Sequence, residues 1–148
     1  MDKKIYAYVV ADIFHIGHLR FLEKASKLGT LTVGVLTDEA TMEKKPKPII
    51  PFEERLKIIK ALKFVNRAVP QHTYSPNKNV NKYKPDILIE STSHIEVGSN
   101  PFGKVKILKY YDNQSSTRIK NKVARRFKKS AGTNLVTWWN TFRSHTGW

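Results

Sequence analysis

Ile5-Tyr6-Ala7-Tyr8-Val9-Val10, then Ala11-Asp12-Ile13-Phe14-His15-Ile16-Gly17-His18, then Leu19-Arg20-Phe21-Leu22-Glu23-Lys24-Ala25-Ser26-Lys27-Leu28 reads as a buried strand, a turn and an amphipathic helix. The spacing predicts the strand over Ile5 to Val10 and the helix over His18 to Leu28. Leu19, Leu22, Ala25, Ser26 and Leu28 line one helix face, and Gly29 stops it. A strand–turn–helix with a glycine between two histidines suits a chain of phosphates. The helix N-terminus offers unpaired N–H groups and a partial positive charge. Gly17 allows close backbone approach, and the two imidazoles add donors, with positive charge when protonated. Four residues recur by chance, and two loop histidines beside a turn glycine are the alternative; the flanking strand and helix favour the functional reading.

Outward from this unit, strands and helices alternate. Leu31 to Leu36 is a second strand, followed by a lysine- and proline-rich loop from Glu43 to Pro51. A helix is predicted from Pro51 to Phe64, with Glu53 and Glu54 at its positive end and Leu56, Ile58, Ile59 and Leu62 facing inward. Arg67 to Pro70, Asp86 to Glu90 and Val105 to Tyr111 read as three more strands. A brief helix is predicted at Val80 to Lys84 and a final one from Ser115 to about Ser130. Strands apolar on both sides, spaced by helices, imply a parallel sheet covered on both faces. In such sheets ligands bind beyond the carboxyl ends of the strands. The polar loops Ala11 to His18, Thr37 to Pro51, Glu90 to Gly103 and Asp112 to Thr117 converge there, which argues for one nucleotide-sized site.

Composition narrows the classes. The 148 residues predict one domain, over 1–130, with an aromatic tail over 131–148 that carries Trp138, Trp139, Phe142 and Trp148. The absence of cysteine excludes disulfides, thiolate metal sites and cysteine nucleophiles. No apolar run is long enough to span a bilayer. Lys3 and Lys4 before a short apolar run do not make a signal peptide, so a cytoplasmic location is expected. Twenty-seven Lys and Arg against twelve Asp and Glu leave a net charge of +15, and no acid follows Asp112. Such a field attracts nucleotides, nucleic acids and acidic surfaces alike, and a solvated helix face explains the cations of residues 118–129 equally well.

Val9-Val10-Ala11-Asp12-Ile13-Phe14-His15-Ile16-Gly17-His18-Leu19 resembles the opening of the small bacterial cytidylyltransferases, those acting on glycerol 3-phosphate and on 2-aminoethylphosphonate. The likeness continues through Thr32 to Asp38, Pro51 to Arg55 and Tyr83 to Asp86. It closes at Ser115-Ser116-Thr117-Arg118-Ile119, covering about residues 4 to 125. It implies a Rossmann-like α/β fold with a five-stranded parallel sheet and helices on both faces. It further implies transfer of CMP from CTP to a small phosphonate or phosphate monoester, with magnesium, pyrophosphate release and a homodimer. The stretches from Thr37 to Arg55 and Lys84 to Asp86 look closer to the phosphonate enzymes.

Carried over residue by residue, the resemblance makes His15, His18 and Lys45 the catalytic set. The nucleotide contacts would come from Ala11, Asp12, Ile13, Phe14, Gly17, Lys44, Arg55, Ser115, Ser116 and Thr117, with Asp12 also placing the metal. Plainer roles stand beside several of these. Asp12 would cap a turn, Arg55 would pair with an acid, and Ser115 to Thr117 would cap a helix. Two segments depart from the family pattern. Glu90-Ser91-Thr92-Ser93-His94 replaces a Gly-Asp-Trp-type segment, and Tyr111-Asp112-Asn113-Gln114 replaces Thr-Glu-Gly. His94 is there either a replacement ligand or an exposed loop histidine. The departures keep open an ATP-using adenylyltransferase. A non-catalytic anion or nucleic-acid binder is also open, with base stacking on the tail tryptophans.

Overall fold

The computed structural model describes residues 2–131. Five parallel strands form one sheet in the order β3-β2-β1-β4-β5. They are β1 (Lys4–Val9), β2 (Thr30–Leu36), β3 (Arg67–Gln71), β4 (Ile87–Ser91) and β5 (Lys104–Leu108), and the helices between them are α1 (Ile16–Ser26), α2 (Asp38–Met42), α3 (Phe52–Lys60), α4 (Asn77–Tyr83) and α5 (Ser116–Ala131). This is the expected Rossmann-like α/β fold. From β1 the chain moves to one side through β2 and β3, then returns past β1 to β4. The carboxyl ends of β1 and β4 therefore flank the point where strand order reverses, where a ligand crevice forms in such sheets.

The period of two along β1 sorts its side chains to two cores. Ile5, Ala7 and Val9 pack with Phe21, Leu22 and Ala25 of α1 and Ile59 of α3 on one face. Tyr6 and Tyr8 pack with Ala40 of α2 and with Tyr74 and Val80 on the other. Both tyrosine hydroxyls are buried and find partners: Tyr6 Oη donates to Gln71 Oε1 at 2.6 Å, and Tyr8 Oη to Glu90 Oε2 at 2.6 Å.

The structure corrects four expectations. Helix α1 begins two residues early, at Ile16, because His15 caps it, and both Gly17 and His18 lie inside its first turn. The loop after β2 holds a short helix, α2, capped by Thr37 Oγ1 accepting the Ala40 N–H at 3.1 Å. In α3, Ile58 faces outward at 41% exposure. The buried stripe runs through Arg55 and Ile59, four residues apart, and Ile58 lies about 100° from Ile59. The fifth strand ends at Leu108 and is mostly exposed, with lysines alternating along an edge rather than a covered interior position. The tail aromatics Trp138, Trp139, Phe142 and Trp148 lie outside the described residues. Among the described residues no helix is long and apolar enough to cross a membrane.

Candidate active site

The turn after β1 is strained. Ala11 (φ 59°) and Ile13 (φ 49°) both adopt the left-handed conformation, which a β-branched residue such as Ile13 rarely enters. Between them, Asp12 is 5% exposed. Its carboxylate accepts the backbone N–H groups of Ile49 (3.0 Å) and Ile50 (2.9 Å) and pairs with Lys120 Nζ at 2.7 Å, and its carbonyl accepts the Ser116 hydroxyl. Burial works against the charge, but Lys120 and the two N–H groups outweigh it and hold the carboxyl below its ordinary pKa. Asp12 thus ties the loop before α3 and the start of α5 to the first turn.

His15 and His18 form a reciprocal cap. The Gly17 N–H donates to His15 Nδ1 at 3.0 Å, and the His15 N–H donates to His18 Nδ1 at 3.3 Å. A serine and a glutamate fill these two places in the usual capping box; here two imidazoles do. With both Nδ1 atoms accepting, each neutral ring carries its hydrogen on Nε2. The rings lie 4.0 Å apart between centroids. His18 is 8% exposed. Burial, then the neighbouring His15, outweigh the attraction of Asp12 and lower its pKa to about 3. Burial lowers His15 as well. His18 therefore serves as a neutral Nε2–H donor, and the imidazolium charge anticipated from its sequence is absent at neutral pH. His15 Nε2 lies 3.3 Å from the Tyr110 hydroxyl.

Asp12, His18, Lys45, Ser115, Ser116 and Thr117 line one cavity of about 650 Å³ beyond the carboxyl ends of β1 and β4. That is room for a nucleotide-sized ligand. Ser115 Oγ accepts the Arg118 N–H at 3.1 Å and caps α5. Lys45 is half-buried in the cavity wall, and burial lowers its pKa. Other sequence candidates are placed elsewhere. Lys44 extends across the surface to Glu96 Oε1 at 2.9 Å. Ala11 is buried in the core, and Phe14 packs on that core with its ring stacked on His18 at 5.6 Å. Gly17 is buried beneath His15, where a Cβ would lie 2.7 Å from His15 Cε1 and 3.0 Å from the Tyr110 hydroxyl.

Arg55 is the sharpest correction. It is fully buried, and its guanidinium donates to the carbonyls of Val10 (2.6 Å), Leu36 (2.7 Å) and Ile50 (2.9 Å) and to Asp38 Oδ1 (2.7 Å). These contacts clamp the chain just beyond β1 to the end of β2 and to the loop before α3. Four of its five N–H groups are committed, and the fully buried side chain is not part of the cavity lining, so Arg55 shapes the site from behind. Nor do the residues at Asp12 fit a protein-held magnesium. The carboxylate already faces the Lys120 ammonium, and among the described residues no group of three or more His, Cys, Asp or Glu side chains converges as a metal site.

Sequence reasoning missed several lining residues. Lys120 read as one cation in a charged run; the available signal was its position four residues after Ser116, on the same helix face. Tyr8, Tyr74 and Tyr110, which also line the cavity, were not among the sequence candidates. His94 lines the cavity with a side chain 10% exposed, which removes the exposed-loop reading.

Comparison with known proteins places this geometry. The family model described as cytidylyltransferase-like matches residues 8–122. The chain belongs to the cytidylyltransferase-like family. Every cavity-lining residue, from Tyr8 to Asn121, falls within that match. The chain is 33% identical over 132 residues to the glycerol-3-phosphate cytidylyltransferase of Bacillus spizizenii, covering 82% of this chain and 98% of that relative. It is 42% identical over 86 residues to the FAD synthase of Ferroglobus placidus, covering 58% of this chain and 57% of that protein. The match with this FAD synthase thus spans little more than half of the relative's length. Among solved structures, the lipopolysaccharide core biosynthesis protein of Thermoplasma volcanium GSS1 superposes with a TM-score of 0.67 at 28% identity, covering 76% of this chain and all of that one.

Proposed function

We propose that this cytidylyltransferase-like protein transfers CMP from CTP to a small phosphonate or phosphate monoester and releases pyrophosphate. The carrying observation is that His18, Lys45 and the start of α5 at Thr117, from three separated segments, face one cavity at the carboxyl ends of β1 and β4. In the reaction an oxygen of the acceptor's phosphonate or phosphate attacks the α-phosphorus. The bond from that phosphorus to the bridging oxygen breaks, and pyrophosphate leaves with the electron pair. No side-chain nucleophile is required, so the protein's task is to position reactants and neutralise charge. His18 Nε2–H donates to an oxygen whose charge grows, and the Lys45 ammonium attracts the phosphate chain. The Ser116 hydroxyl donates to the Asp12 carbonyl, whereas Ser115 Oγ only accepts in the helix cap, so the α5 turn offers the Ser115 and Thr117 hydroxyls and the helix's first N–H groups. Magnesium is then part of the substrate, carried by the triphosphate oxygens.

CTP is supported by the near full-length match to glycerol-3-phosphate cytidylyltransferase. A second reading, transfer of AMP from ATP, is favoured by the higher identity to FAD synthase, whose product carries an adenylyl group. The deciding experiment measures thermal shifts with CTP, ATP, GTP and UTP, then pyrophosphate release for each triphosphate with magnesium and a panel of phosphates and phosphonates. CTP should give the largest shift, because a ligand selective for the folded state stabilises it by mass action. A largest shift and turnover with ATP would establish the second reading. Equal shifts with no pyrophosphate release would overturn both.

A further inference from the structure

The segment that departs from the family pattern, Glu90 to His94, builds a feature for which the phosphoryl chemistry has no use. Glu90 is fully buried at the end of β4, and all its oxygens are occupied. Oε1 accepts the Gly98 N–H at 2.8 Å, and Oε2 accepts the Tyr8 hydroxyl at 2.6 Å and lies 2.5 Å from His94 Nδ1. The Ser91 N–H also donates to His94 Nδ1, at 3.1 Å. The imidazole is sandwiched in place: the Tyr8 ring stacks on it at 4.2 Å, and the Phe21 ring meets it edge-on at 6.3 Å. Four separate contacts thus fix one ring in one orientation.

The chemistry of its free edge follows. Among the described residues His94 is the only ion-pair partner of Glu90. The Ser91 N–H donates to Nδ1, and a neutral ring whose Nδ1 accepts carries its hydrogen on Nε2. Among the described residues Nε2 has no hydrogen-bond partner, yet no buried side-chain nitrogen or oxygen lacks one, so Nε2 is exposed where His94 lines the cavity. The cavity residues that touch the ring, Tyr8 and Phe21, and those beside it in the chain, Ser91 and Ser93, are uncharged. The cations Lys45 and Lys120 stand on other segments. A neutral N–H donor among aromatic rings fits a planar, uncharged group with a carbonyl oxygen better than it fits a phosphate.

We propose that His94 is a specificity residue whose Nε2–H donates to the ring carbonyl of a pyrimidine base, with Glu90 as its positioning residue. Adenine presents no carbonyl, so this contact favours CTP over ATP. The inference rests on nucleotide binding in this cavity, the proposed function above. The test uses the full chain and two probes: CTP, and inorganic tripolyphosphate, which has the phosphates and no base. Both are titrated calorimetrically with magnesium, beside ATP, into the parent, His94→Phe and Glu90→Gln. Phenylalanine keeps the stack on Tyr8 and removes the donor. Glutamine keeps the shape of Glu90 and gives an amide N–H to Nδ1, which leaves hydrogen on Nε2. His94→Phe should weaken CTP about 10- to 100-fold, leave tripolyphosphate unchanged and erase the preference for CTP over ATP, while Glu90→Gln keeps it. Equal weakening of CTP and tripolyphosphate, or no change in either, would overturn the assignment of His94. If CTP binds the parent no more tightly than tripolyphosphate does, the nucleotide reading itself falls and takes this inference with it.

Discussion

Replacing His18 by glutamine, beside alanine, separates its titration from its hydrogen bonds. The ring accepts the His15 N–H and closes the cap of α1 while directing Nε2–H into the cavity. Glutamine at this third helical position closes a capping box equally well, so His18→Gln should keep the cap. His18→Ala leaves the His15 N–H without its partner and should cost about 1 kcal/mol at pH 7. His18→Ala removes a donor aimed at transition-state charge, and its turnover should fall about 10²- to 10³-fold; the glutamine amide keeps N–H donors, so His18→Gln should lose less. Acid then reverses the order of stability. The unfolded chain protonates His18 near pH 6.5, the folded chain only at about 3, so stability present above pH 6.5 is lost as pH falls through that window. At pH 5 the loss is 1.5 pH units at about 1.36 kcal/mol each, or about 2 kcal/mol, a drop of ~4–8 °C in Tm. Urea unfolding at pH 7, 6 and 5 should therefore show the parent losing about 2 kcal/mol more than His18→Gln. Parallel pH profiles would refute the buried neutral imidazole. Parental turnover in His18→Ala would refute its role as donor.

Arg55→Lys replaces a four-bond clamp by a group that cannot satisfy three carbonyls and Asp38 together. Stability should fall by about 3 kcal/mol, seen as ~6–12 °C in Tm, with the CTP affinity of the folded protein unchanged. Normal stability with lost CTP binding would return Arg55 to the nucleotide contacts. Gly17→Ala places a methyl against His15 and the Tyr110 hydroxyl, so turnover should drop at least tenfold while Tm moves by only a few degrees. Unchanged turnover would show that the His15 ring need not hold its present position.

The strand–helix alternation, the parallel sheet and the place of its cavity were readable from the chain because each rests on local periodicity and on rules linking strand order to ligand position. The histidine–glycine–histidine turn was readable for the same reason, since its residues lie within four positions of one another. Even its cap follows from local geometry, once imidazole nitrogens are counted as acceptors. What the sequence could not assign were the jobs of long polar side chains. Arg55 carries five N–H donors that suit a phosphate and backbone carbonyls equally well. Only the meeting of β1, β2 and the loop before α3 commits them to carbonyls. Asp12 finds its cation 108 positions away in Lys120, and Tyr8 finds Glu90 across 82. Two neighbouring lysines are equivalent by composition, and the fold sends Lys44 out to Glu96 and Lys45 into the cavity wall. Local spacing determines which face of an element is buried. Which atom satisfies a buried charge depends on segments brought together by the sheet, and that was decided by tertiary structure alone.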